Sequence, residues 1–197
     1  KILSLQGDQW NEGSRGAFFI NLAIQFPALT RMAARRAGME WLAEHADQAD
    51  ETLGQFRERL GQLQAALPPD HACARPVNSD EYKFGHGTDL AALADAVVQA
   101  MTVVGLPWFE HHASLRSLAD FEGSLLGADV DVRIAAAVLL GDRARAQQIL
   151  AARRARFEQV GSAYLQSMRQ WLVDLGLDVA ALPQEPSPPR ESAHEKR

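Results

Sequence analysis

The segment Gly16 to Phe26, Gly-Ala-Phe-Phe-Ile-Asn-Leu-Ala-Ile-Gln-Phe, constrains the fold more than any other part of the chain. Phe18, Ile20, Leu22, Ile24 and Phe26 alternate with Phe19, Asn21, Ala23 and Gln25. A period of two puts the first set, all large and apolar, on one face of a β-strand. That face needs a cover, and most of the remaining chain has the spacing of amphipathic helices. The expected fold is therefore α+β: a small antiparallel sheet of about three to four strands packed against several helices, with a helical C-terminal half.

Residues 1–7 read as a short strand, and Asn11, Gly13 and Ser14 mark a turn, so 1–7 and 16–26 are expected to pair as an antiparallel hairpin ended by Pro27. From Met39, the apolar residues Leu42, Leu53, Phe56, Leu60, Leu63 and Leu67 follow helical spacings up to Pro68. A short strand is expected over 72–77. Thr88 or Asp89 then caps a helix with the face Leu90, Leu93, Ala94, Val97, Val98, Met101 and Val104, stopped by Gly105 and Pro107. A shorter helix is expected over 114–126, an apolar helix opened by Asp131 and closed by Gly141, and a long one from Asp142 to Leu175. The stripe of that last helix is Ile149, Leu150, Phe157, Val160, Tyr164, Met168, Trp171 and Leu175, with Gly176 as its C-cap. Four prolines crowd residues 183–189 and charged residues follow, so 181–197 reads as a disordered tail on a single domain over 1–180.

The formal net charge of −5 argues against general nucleic-acid binding. The single cysteine, Cys73, excludes an internal disulfide and a cysteine-based zinc site and fits a reducing compartment. No uninterrupted apolar run reaches the roughly 18 to 20 residues of a membrane span, and no signal peptide is visible. The expected location is the cytoplasm, away from any membrane.

Three stretches carry a resemblance: Phe18-Phe-Ile-Asn-Leu-Ala-Ile-Gln-Phe-Pro27, Arg57-Glu-Arg-Leu-Gly-Gln-Leu63, and Leu106-Pro-Trp-Phe-Glu110 followed by the Leu115 to Phe121 helix. In that order, with Gly141 to Ala146 after them, they resemble a bacterial domain-of-unknown-function family of α+β fold. The resemblance implies that a helix and a strand precede Lys1 and are missing from this sequence. It also implies a strand over 55–64, with Phe56, Glu58, Leu60 and Gln62 on one side. Against a helix continuing to Leu67, that reading leaves a helix over 39–52 and then a strand. It supplies no catalytic residue.

Adjacent side chains on a helix point about 100° apart, so Glu110-His111-His112 does not form a metal site, and no cofactor or metal is expected. Tyr82-Lys-Phe-Gly-His-Gly87 fits neither glycine-rich phosphate pattern. Asp131 is better explained by helix capping than by metal binding. Arg31, Arg35 and Arg36, and the arginines between 143 and 156, read as solvated, salt-bridged helix faces. On a strand, Arg57 and Arg59 project from one sheet face, where they pair with acids of 40–51 or bind an acidic partner.

The candidate binding residues are Arg57, Arg59, His86 and the aromatics Trp10 and Trp108, taken as exposed; none is assigned a catalytic role. A non-catalytic protein-binding domain ranks first, with an immunity-type protein that neutralises a toxin as its concrete form. Small acidic domains associate quickly with basic enzymes. An enzyme or small-ligand sensor with a site between sheet and helices ranks second. An RNA-associated factor using the arginines of 142–156 ranks third.

Overall fold

The computed structural model describes residues 1–7, 15–48, 50, 53–77, 79–122, 130–152, 162–180 and 182. Its centre is a four-stranded antiparallel sheet. β1 (Ile2–Gly7) and β2 (Gly16–Ile24) form the expected pair, with Leu3 opposite Leu22 and Leu5 opposite Ile20. On the other side of β2 lie β3 (Phe56–Arg59), against Asn21 to Ile24, and β4 (Tyr82–Phe84), against Gly16 to Phe18. Ile20, Leu22 and Ile24 are buried as the period of two requires, in one core cluster with residues from the helices. Phe26 has left the strand: its N–H donates to Gln55 Oε1, and Pro27 opens helix α1 (Pro27–Arg36) at a position where no N–H is needed.

Three expectations between 39 and 84 are corrected. The helix expected over 39–52 is only α2 (Glu40–Glu44). Beyond it the Gln25 amide takes over the backbone, donating to Ala46 O and accepting from the Asp50 N–H. The stretch 55–64 is neither all strand nor all helix: β3 ends at Arg59 and α3 (Leu60–Ala65) begins at the next residue. At this junction the backbone of Asp80 crosses the start of α3 at Gly61. A Cβ on Gly61 would lie 2.5 Å from Asp80 Cα and O, so only glycine allows the approach. Residues 72–77 make turns instead of a strand, with the Cys73 N–H donating to His71 Nδ1 and the Gln64 amide donating to Cys73 O. The last strand is β4.

Asp89 caps α4 (Leu90–Ala100), accepting from the N–H groups of Ala91 and Ala92. Gly105 and Pro107 do not stop this helix. The wide turn Met101–Gly105, closed by Leu106 N–H donating to Met101 O, leads straight into α5 (Leu106–His112). A π-type turn makes room for the Pro107 ring, which in a regular helix strikes the carbonyl four residues back. The continuous helix Leu90–His112 has 23 residues and is long and apolar enough to cross a membrane by length and composition. The apolar run is still interrupted, by Asp95, Gln99 and Thr102, as the sequence reading has it; what differs is the length of the helix, which Gly105 and Pro107 do not end.

α6 (Leu115–Asp120) begins with a capping box between Ser114 and Ser117. α7 (Val130–Leu139) has Asp131 in its first turn, where one carboxylate oxygen accepts from the Val132 N–H and the other pairs with Arg36 at 3.1 Å. Gly141 (φ 75°) and Gly176 (φ 71°) end their helices in the left-handed conformation, as expected. Asp142 caps α7's successor α8 (Arg143–Ala152), and α9 (Ser162–Asp174) follows. Ile149, Leu150 and Met168 are buried in the core. Phe157, Val160, the Tyr164 side chain, the join between α8 and α9, and the expected tail apart from Leu182 lie outside the described residues.

Candidate functional site

Among the described residues, those singled out in the sequence are not gathered in one place. Arg57 and Arg59 sit opposite Ala23 and Asn21, so both project from the sheet face away from Ile20 and Leu22, as expected. Arg59 pairs with Asp80 at 2.7 Å, not with an acid of 40–51, and lies 3.9 Å over the Phe19 ring. Beside it Asn21 Nδ2 donates to Gln6 Oε1. This polar face is tied together from within. His86 is exposed in the turn between β4 and α4. Trp10 and the turn around it lie outside the described residues. Trp108, expected to be exposed, is corrected: it is 8% exposed and belongs to the core on the helix-covered side.

Of the two arginine clusters, Arg31, Arg36 and Arg145 are salt-bridged as expected, while Arg153, Arg154 and Arg156 lie outside the described residues. Arg31 meets Asp47, Arg36 meets Asp131 and covers the Trp171 ring, Arg116 meets Asp142, and Arg145 meets Asp120. The Arg116 guanidinium and the Arg145 N–H hold the Asp142 carboxyl below the usual carboxylate range. Among the described residues, no group of His, Cys, Asp and Glu is placed to hold a metal ion.

His112 is buried among Phe56 (4.5 Å between ring centroids), Trp108 (4.9 Å) and Phe121 (6.1 Å). Its Nδ1 is 2.8 Å from Trp108 O, and because a carbonyl only accepts, Nδ1 carries the proton. Burial holds its pKa below the ordinary imidazole value, with the Trp108 carbonyl opposing and His111 adding to the shift. A depressed pKa gives stability that is complete above about pH 6.5 and lost as the pH falls through the lower folded-state value. Urea midpoints measured at pH 7.5 and 5.0 should therefore drop more in the wild type than in His112→Leu. Equal drops would show that His112 is not held neutral.

Two surface features went unrecognised in the sequence. The first is the outer flank of Leu90–His112. Leu93, Val97, Ala100 and Val104 face the core, yet Leu90, Ala94 and Val98, spaced four apart, form an adjacent apolar stripe in solvent. Leu90 is 63% and Val98 64% exposed. Asp95 is the only charged residue between Leu90 and Phe109. The signal was present, because the face drawn for this helix spans too wide an arc for one buried side. On the same side of the sheet, Leu3 and Leu5 of β1 are also exposed.

The second is a cavity of about 470 Å³ between β4, α3, α4 and the turns of 72–81. Tyr82 lines it, with its hydroxyl donating to Gln64 Oε1. Burial raises the Tyr82 pKa against the pull of Arg75, so the phenol stays a donor. Arg75 lies 4.3 Å over the Tyr82 ring. Only the fold brings these residues together, so the sequence spacing carried no sign of them. No known protein family, curated protein or solved structure matches this chain, and the reading of its surfaces rests on their own geometry.

Proposed function

We propose that this protein is a non-catalytic binding domain whose partner is another protein, met through the outer flank of the Leu90–His112 helix. The observation that carries the reading is the apolar stripe Leu90, Ala94 and Val98, left in water on a helix whose inner face is in the core. Exposed contiguous apolar surface marks interaction sites, and residues four apart on a helix are the anchors by which it seats against another chain. A membrane role fits less well. The inner face of this helix covers Ile20, Leu22 and Phe56, and crossing a bilayer would strip that cover from the sheet. The formal charge of −5 favours a basic partner by speeding encounter, which suits an immunity-type protein that neutralises a toxin.

Affinity capture from the native lysate at moderate salt tests this, with Leu90→Glu/Val98→Glu as the comparison bait. Both side chains are exposed, so the double variant keeps the fold. The expected result is one stoichiometric protein held by the wild type and at least tenfold less of it on the variant, tenfold being about 1.4 kcal/mol. Capture that ignores the substitutions would overturn the proposal. So would flotation of the wild type alone with lipid vesicles, which would put a membrane in the partner's place.

A further inference from the structure

The cavity behind β4 is separate from the helix flank and does not depend on the partner reading. Its walls divide into an apolar side, made by Leu93 and Ala96 of α4 with the Tyr82 ring, and a charged side made by Arg75, Glu81 and Lys83. Glu81 and Lys83 pair with each other at 3.3 Å. Arg75 forms no ion pair among the described residues. Neutral groups hold it instead: its Nη2 donates to Glu81 O at 2.6 Å and to Ser79 Oγ at 3.4 Å, and its plane rests on Tyr82. These bonds fix the guanidinium in a concave, half-apolar site where, among the described residues, no carboxylate pairs with it. A guanidinium held in this way is prepared for an anion, since the cost of ordering it has already been met within the fold. The volume lies in the range of small-molecule sites, and an apolar wall with a few placed polar groups is their usual chemistry.

We propose that this cavity binds a small organic carboxylate. Its carboxylate accepts hydrogen bonds from Arg75, and its apolar body lies against Leu93, Ala96 and Tyr82. The Glu81 carboxylate on the rim disfavours ligands with several negative charges.

Amide chemical shifts of the full chain, titrated with benzoate, with the neutral isostere benzamide and with inorganic phosphate, test the proposal. Benzoate should give saturable shifts confined to residues 72–83 and 93–99, with benzamide at least tenfold weaker. Arg75→Met keeps the stem on Tyr82 and removes the charge, and benzoate binding should be lost. Ala96→Phe, on the exposed side of α4, puts a ring into the cavity while leaving Arg75 in the sequence, and should abolish binding even if Arg75→Met does not fold. The proposal is overturned if benzoate gives no saturable shift, if benzamide or phosphate binds here as tightly as benzoate, or if Ala96→Phe binds benzoate like the wild type.

Discussion

Phe56→Ala should cost about 3–5 kcal/mol, the range for deleting a fully buried aromatic ring. Phe56 has no exposed surface and sits where sheet, helix and loop meet. It pairs with Ile24 across β3 and β2, and its ring meets the edges of His112 and Phe121, the latter at 5.4 Å. Each of those rings gains about 0.5–1.5 kcal/mol beyond burial from such an edge contact. The walls of the resulting hole belong to a strand and to the Leu90–His112 helix, so the site cannot close without shifting both. A domain of ordinary stability, about 5–15 kcal/mol, would be left near the unfolding threshold. Urea unfolding should show a midpoint lowered by a large fraction. A loss below about 1 kcal/mol would mean that Phe56 does not join the sheet to the helix.

The second large effect is expected at Gly61. Alanine there should destabilise by about 1–3 kcal/mol, the cost of forcing extra atoms into a packed contact, even though alanine is the better helix former by about 1 kcal/mol. The obstacle is main chain, Asp80 Cα and O at 2.5 Å, and not a side chain that can swing away. To relieve it, residues 79–82 must retreat, which pulls Asp80 from Arg59 and disturbs the pairing of Tyr82 with Phe18. Gly85→Ala is the control, since a Cβ there meets only the Arg15 side chain at an ordinary 3.5 Å. Thermal unfolding should show Gly61→Ala lowered by roughly 2–4 °C per kcal/mol and Gly85→Ala unchanged. Equal melting temperatures for the two variants would contradict the close approach.

The sequence was most legible where one rule governs. Alternation over Phe18 to Ile24 gives the central strand and its buried face, and the glycines at 141 and 176 end helices as their freedom allows. It misled where distant parts of the chain decide. The switch from β3 to α3 inside Arg57 to Leu63 answers both the period of two and the helical spacing, each over half the stretch. Beyond α2 the Gln25 amide, distant in sequence, bonds to the Ala46 carbonyl and the Asp50 N–H. Pro107 looked like a stop, but a widened turn absorbs it and extends the helix to His112. Of the candidate site residues, Arg57 and Arg59 share a face as foreseen, while Trp108 went to the core because Phe109, His112 and Phe56 form an aromatic cluster there. The stripe of Leu90, Ala94 and Val98 was written into the helix pattern. That it stays uncovered depends on which way the helix turns, and single-sequence periodicity does not carry that.

Carbene footprinting of the isolated chain and of its captured complex tests the central claim most directly. In isolation Leu90 and Val98 should label heavily and Ala100, buried on the same helix, should not. In the complex, labelling at Leu90 and Val98 should fall to the level of Ala100. If both residues label as strongly in the complex as alone, while protection appears elsewhere, the helix flank is not the binding surface.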